Sequence, residues 1–410
     1  MARRALILVE GNIRGLGLLF VQAAQRLGLH PITLSADPAQ YDYLAAESNE
    51  AIRVDTDNLD ALIRECSRLY ATYDIAGITS ATESFYATVG KLCRYFDLPG
   101  PNAESIERCC DKFAQRQLLA EAGVPIPAYR LATNATDIER SAAEIGLPVI
   151  LKPAVGLGSR GVRLCGNLDE LAEHTTYLLG GKHIWRSPPR ILVEEFAQGS
   201  QYCIDIMGNE VIGIGALGFC RPPHFVYREL AYPAVLTDDE HNRIVDVSLS
   251  CLRALGLGWG PTNVELRWTK RGPVVIEVNP RLAGTPAPQL VQLTYGVDLV
   301  TEHINLVMGD EWNLRRTHSH TAVARYLVPD RDGTLDWIDD SRATAILGVA
   351  EVKLHVKLKT PIVRKGDHRD CIGHVIATSP SLAQTEAILQ RAVDLISWSI
   401  TPFPTPGEQE

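Results

Sequence analysis

Glu265 and Glu277 lie in two apolar stretches, NVELRW and PVVIEVNP, separated by a short polar turn at Lys270–Gly272. Read as an antiparallel hairpin, the two stretches bring both acids onto one face as a cross-strand pair. Like charges so placed repel. A divalent cation relieves that repulsion, and Mg²⁺ (or Mn²⁺) takes a few carboxylate or carbonyl oxygens together with substrate phosphates. Asn279 follows Glu277 by two residues and offers an amide oxygen to the same face. Arg281, two further on, cannot ligate a metal, but its planar fork matches phosphate or an oxyanion. The polar face of a surface hairpin would read the same way, so the pattern needs a second, independent signal.

That signal is KPAVGLGSRGV, residues 152–162, in which Gly156, Gly158 and Gly161 spell G-x-G-x-x-G. The dinucleotide fingerprint must open a helix. Here Val162 and Leu164 alternate as in a strand, so the context is strand–loop–strand. A flexible glycine hairpin of this kind can fold over phosphates, with backbone N–H groups and Ser159 as donors. Lys152 ends the apolar run PVILK just before it. The chain also spells His368-Arg369-Asp370, but Val375 stands where a kinase needs Asn and no D-F-G follows, which excludes a protein kinase. Gly90-Lys91 and Gly181-Lys182 lack the Ser or Thr of a P-loop.

These residues need a scaffold of several units. With 410 residues, two or three domains are expected. RALILVE, HPITLSAD, AIRVDTD and DIAGITSATE alternate with helical patterns, which predicts a Rossmann-like parallel α/β domain over 1–100. The segment ESIERCCDKFAQRQLLAEAG predicts one helix stopped by Gly123, within a linker over 101–135. A small lid unit over 136–205 and a strand-rich large unit with the metal site over 206–320 follow. An extension over 321–410, with strands and one late helix, is expected to pack on them. The fold class is therefore α/β joined to α+β.

Composition narrows the partners. A net charge of -9 argues against nucleic acid or an anionic membrane as partner. No run of about eighteen apolar residues predicts a membrane helix. The opening MARRALILVEGN reads as a strand, not a signal peptide. The nine cysteines form no C-x-x-C pair and predict reduced thiols in a cytoplasmic protein rather than zinc sites or disulfides.

In the order DKFAQRQLLAEAGVPIPAY, LPVILKPAVGLGSRGV, ILVEEFAQGSQY and VELRW…VVIEVNPRLAG, the chain resembles the ATP-grasp superfamily, and within it carboxylate–amine ligases of the L-amino acid (dipeptide) ligase type. The resemblance covers nearly the whole chain. It implies ATP as cofactor, with Lys112 and Lys152 on its α- and β-phosphates. Glu194 would take the adenine amino group, and the backbone at Glu195 and Ala197 would read the ring. Gln201 stands at the ribose position, where many relatives have Glu. Glu265, Glu277 and Asn279 would bind Mg²⁺, and Arg281 would steady an acyl phosphate. Arg228, Glu229, Tyr232 and His224 fall in a loop that faces substrates in relatives, and Gly284 and Thr285 are expected to line the acyl site. The implied reaction joins a small-molecule carboxylate to an amine, with release of ADP and phosphate. Homo-oligomerisation stays open. Two alternatives also stay open: a carboxylase that activates bicarbonate, and a non-catalytic nucleotide-binding protein on the same fold.

Overall fold

The computed structural model describes residues 2–12, 15–46, 49–156, 158–181 and 189–404. Part of the first glycine stretch (Ile13 and Arg14) and Leu157 of the second lie outside the described residues.

The first unit is a four-stranded parallel sheet in the order Glu50–Arg53, His30–Ser35, Arg4–Val9, Asp74–Thr79. Its central strand is buried from Ala5 to Val9, as a β-strand with helices on both faces must be. Glu10 ends that strand at φ 60° with its carboxylate buried. It accepts hydrogen bonds from Ser35 Oγ (2.7 Å), Ala36 N (2.8 Å), Tyr41 OH (2.8 Å) and Thr56 Oγ1 (2.7 Å). This fully satisfied anion ties together the chain segments that leave three neighbouring strands.

The linker departs from the expected single helix. Ala103–Cys110 and Lys112–Glu121 are separate helices, broken at Asp111. The Asp111 carboxylate accepts from Phe113 N (3.0 Å) and Ala114 N (3.1 Å), so it acts as an N-cap in an extended conformation. The break places Lys112 at the first position of the second helix.

The small unit is a four-stranded antiparallel sheet in the order Tyr129–Ala132, Ile191–Glu195, Val149–Pro153, Arg163–Cys165. Helices Ala135–Ile145 and Leu168–Gly180 cover it through Ile138, Leu171 and Leu178, which pack on Val149 and Leu151.

The large unit is an eight-stranded antiparallel sheet. Its strand order is Gly272–Asn279, Pro261–Thr269, Ser200–Met207, Glu210–Phe219, Tyr227–Tyr232, Thr321–Leu327, Gly373–Ser379, Val349–Leu354. The C-terminal extension thus contributes three strands to the same sheet and forms a separate three-stranded sheet of its own in the order Pro361–Ile362, Gly333–Asp339, Ser397–Thr401. Helix Asp238–Leu255 covers one face with the Lys112–Glu121 helix. On the other face, helices Ala287–Tyr295 and Leu299–Val307 share a core with the Leu16–Arg26 helix of the first unit. All nine cysteines are free thiols, seven of them buried. Among the described residues no helix is long and apolar enough to cross a membrane.

Candidate active site

The metal hairpin pairs Glu265 with Glu277 only because its register shifts between the turn and the acids. Glu265 faces Glu277 directly, and Asn263 faces Asn279. A bulge follows, because Leu266 pairs with Val275 and leaves Ile276 as an extra residue. Ile276 and Glu277 can therefore both line one cleft although they are adjacent in sequence.

Burial and charge split the two acids. Burial, reinforced by the charge of Glu277, pushes Glu265 up to about 7. Burial acts on Glu277 in the same direction, but Lys112 and Lys152 outweigh it and hold that carboxyl below its usual range. Lys112 Nζ lies 2.7 Å from Glu277. Asn279 is 3 % exposed and its amide nitrogen has no hydrogen-bond partner. Among the described residues no three His, Cys, Asp or Glu side chains converge as a complete metal cage. Two half-buried, mutually repelling carboxylates with an amide oxygen beside them fit Mg²⁺, which takes few protein oxygens and completes its shell with phosphates and water.

A cleft of about 770 Å³ lies between this hairpin and the small sheet. Gly156, Gly158 and Ser159 line it from the glycine loop, and Lys112, Lys152, Glu194, Glu195, Ala197 and Gln201 from the walls. Gly161 does not line it. With φ 70°, it turns the chain back toward Pro153 and Leu178, and its carbonyl lies 2.9 Å from His174 Nε2.

The cations expected on phosphate are held by protein acids. Lys152 Nζ lies 2.6 Å from Glu194, which also accepts from Arg116 Nε at 2.7 Å. Arg116 is fully buried and donates a second bond to the Ile276 carbonyl of the hairpin. Glu194, 2 % exposed, is thus spent on two cations rather than aimed at a base. Burial opposes its ionisation, and Arg116 and Lys152 override that and lower its pKa. The Glu195 N–H is used in a bond to the Ala128 carbonyl, and the Ala197 carbonyl accepts from Arg267. Gln201 bridges Glu265 (2.9 Å) and Arg267 (2.9 Å), and the Arg267 guanidinium stacks on Phe196 and Phe225.

A second chamber of about 1420 Å³ shares Gly158, Ser159, Glu265 and Glu277 with the first. Arg281, Gly284 and Thr285 line it from the end of the hairpin strand. Arg281 Nε lies 2.7 Å from Glu83 of the first unit. Burial alone would depress this guanidinium, but Glu83 and Glu277 raise its pKa instead. The C-terminal extension supplies Tyr326, His355, His368 and Cys371 to the same chamber.

The expected substrate loop is corrected. Glu229 pairs with Gly218 and Tyr227 with Phe219, so Arg228 is the extra residue of a bulge and points to solvent. The shift of phase turns Tyr227 and Leu230 to the chamber. Glu229 binds Arg325 on the neighbouring strand, its carboxylate 2.7 Å from Arg325 Nε. Tyr232 is a core residue at 0 % exposure whose hydroxyl donates to Asp205 and lies 3.2 Å from Cys203 Sγ. His224 sits beside Gly366 and bridges to Arg163, away from both chambers. Glu83, Arg116, Tyr227, His355 and His368 carried no local signal. Arg267 did carry one, because it shares a strand face with Glu265 two residues earlier.

The family description "Carbamoyl-phosphate synthase L chain, ATP binding domain" matches residues 111–315. "L-amino acid ligase C-terminal domain 2" matches 325–401 and "ATP-grasp N-terminal domain" matches 21–100. An uncharacterised protein of Sinorhizobium fredii is 63% identical over 409 residues, covering 100% of this chain and 85% of its own. The L-arginine-specific L-amino acid ligase of Bacillus subtilis is 21% identical over 283 residues, 68% of each chain. Human carnosine synthase 1 is 27% identical over 238 residues, which is 53% of this chain but only 29% of that enzyme. In three dimensions, the L-amino acid ligase from Bacillus licheniformis superposes with a TM-score of 0.83 at 20% identity, over 98% of this chain and 100% of that one. At that identity the likeness is one of fold.

Proposed function

Because the chain belongs to the ATP-grasp superfamily as a ligase of the L-amino acid ligase type, we propose that it joins an amino acid carboxylate to an amine through an acyl phosphate, releasing ADP and phosphate. One observation carries the reading. The cleft lined by Lys112 and Lys152 and the larger chamber meet at Glu265, Glu277, Gly158 and Ser159, where a γ-phosphate and an attacking carboxylate would have to meet.

Lys112 exchanges Glu277 and the Gly156 carbonyl, and Lys152 exchanges Glu194, for the phosphates of ATP. The glycine loop closes over the γ-phosphate with Ser159 and backbone N–H donors. Glu265, Glu277 and Asn279 would hold Mg²⁺, which would supply neutralisation of charge on the transferred phosphoryl group. Arg281, fixed by Glu83, faces the acyl carbon and stabilises the oxyanion that forms when the amine attacks. Closure of the small unit keeps water from the acyl phosphate.

The test is release of phosphate and ADP across a panel of L-amino acids offered singly and in pairs. Turnover that needs both an acid and an amine supports the reading. AMP with pyrophosphate, or ADP release driven by bicarbonate alone, overturns it.

A further inference from the structure

Two cations share one buried anion where the small unit meets the hairpin. Glu194 Oε1 accepts from Arg116 Nε at 2.7 Å, and Glu194 Oε2 lies 2.6 Å from Lys152 Nζ. Arg116, Glu194 and Lys152 are all buried. Arg116 comes from the helix Lys112–Glu121, whereas Lys152 and Glu194 come from paired strands of the small unit. Through Nη2, Arg116 also donates to the carbonyl of Ile276, the extra residue of the hairpin bulge. Lys152 and Glu194 line the first cleft, and Arg116 stands behind them and lines neither chamber.

Charge balance makes Arg116 necessary to the exchange of Glu194 for phosphate. If Lys152 were the sole partner of Glu194, its departure would strand a carboxylate out of water, which is a costly state. With Arg116 in place the carboxylate keeps a cation 2.7 Å away, and a guanidinium stays charged whatever else moves. Two cations on one anion also leave one positive charge in surplus, and it faces the cleft as the Lys152 ammonium. Burial lowers the Lys152 pKa, Glu194 opposes that, and the charge of Arg116 adds to the lowering. Lys152 is therefore held less firmly than in a lone buried pair. Without Arg116, Lys152 and Glu194 would make a neutral pair with no charge left to offer.

We propose that Arg116 is a positioning residue for the nucleotide: it takes over the charge of Glu194 and so frees Lys152 for the phosphates. The inference rests on the nucleotide site of the reading above. It concerns nucleoside di- and triphosphates, since adenosine alone gives Lys152 no anion to move to.

Wild type, Arg116→Met, Glu194→Gln and the double variant are titrated with ADP and with adenosine, Mg²⁺ being present, and the ratio of the two affinities is read. The ratio isolates the phosphates and cancels contacts with the base. Arg116→Met is expected to lower it about 10²-fold, because Lys152 can then leave only by stranding Glu194. Adding Glu194→Gln removes the anion, returns the net charge to that of wild type and restores most of the loss. Glu194→Gln alone does not lower the ratio. A residue that only braced the hairpin through Ile276 predicts no such rescue. Where Arg116→Met does not fold alone, the double variant, which has no buried anion to strand, is compared with wild type directly. An unchanged ratio in Arg116→Met, or a double variant about 10²-fold below wild type, overturns the proposal. A wild-type protein that binds neither ADP nor ATP refutes the nucleotide reading itself, whereas ADP binding without the rescue refutes this proposal alone.

Discussion

The metal hairpin predicts a competition between protons and divalent cations. Burial and the facing Glu277 lift Glu265 to about 7, so the metal-free site holds a proton there below that pH. A ligating carboxylate must be ionised, so binding displaces the proton. At pH 8 about nine in ten Glu265 side chains are ready, and at pH 6 about one in ten. The expected loss of cation affinity between those conditions is therefore about tenfold, or about 1.4 kcal/mol. Titration of Mn²⁺ by the paramagnetic resonance of the free ion, with ADP present, measures it. Glu265→Gln is the reference. It binds Mn²⁺ more weakly at high pH and has lost this proton, so the ratio of wild type to variant cancels ionisation of the nucleotide itself. A ratio that stays flat from pH 6 to 8 would refute the electrostatic account of the pair.

Other consequences follow from the ion pairs. Arg281→Ala should lower kcat about 10²-fold or more by removing the oxyanion donor, and Glu83→Gln should give a smaller loss that is not additive with it in a double-mutant cycle. Glu194→Ala leaves Arg116 and Lys152 without their buried anion and should cost about 3–5 kcal/mol in denaturant unfolding. Because the Glu194 pKa is depressed in the folded state, its stabilisation is present above the ordinary carboxylate range and disappears as pH falls through its folded pKa. That loss with acid should be missing from the Glu194→Gln variant. In Gly158→Ala, the new Cβ would stand 2.4 Å from the His368 ring at a φ of 68°. The variant should raise KM for ATP by displacing the glycine loop, and His368→Ala should partly restore it.

Features set by near neighbours along the chain were legible in the sequence. The hairpin and its pair of acids were legible within seventeen residues of sequence, whereas the bulge at Ile276 that sets Glu277 opposite Glu265 was not. The strand–loop–strand setting of the glycines followed from the alternation of Val162 and Leu164. Helix Asp238–Leu255 carries its start signal locally, with Thr237 and Glu240 forming a capping box. Local pattern failed where one residue changed phase. Asp111 interrupts a helical periodicity that runs on through it, because its side chain caps the next turn instead of continuing the last. The bulge at Arg228 exchanged the faces of a strand, which put Tyr227 in the chamber and left Arg228 in water.

The amino-acid sequence by itself determined the carboxylate pair, the phosphate loop and the alternation of strands and helices, because each depends on neighbours a few residues away. Only the tertiary structure decided the partners. Glu83 meets Arg281, Arg116 meets Glu194, and His355 with His368 closes the chamber from the end of the chain. Charges buried from water must find opposite charges or donors wherever the fold brings them. That distance along the chain is what no local pattern encodes.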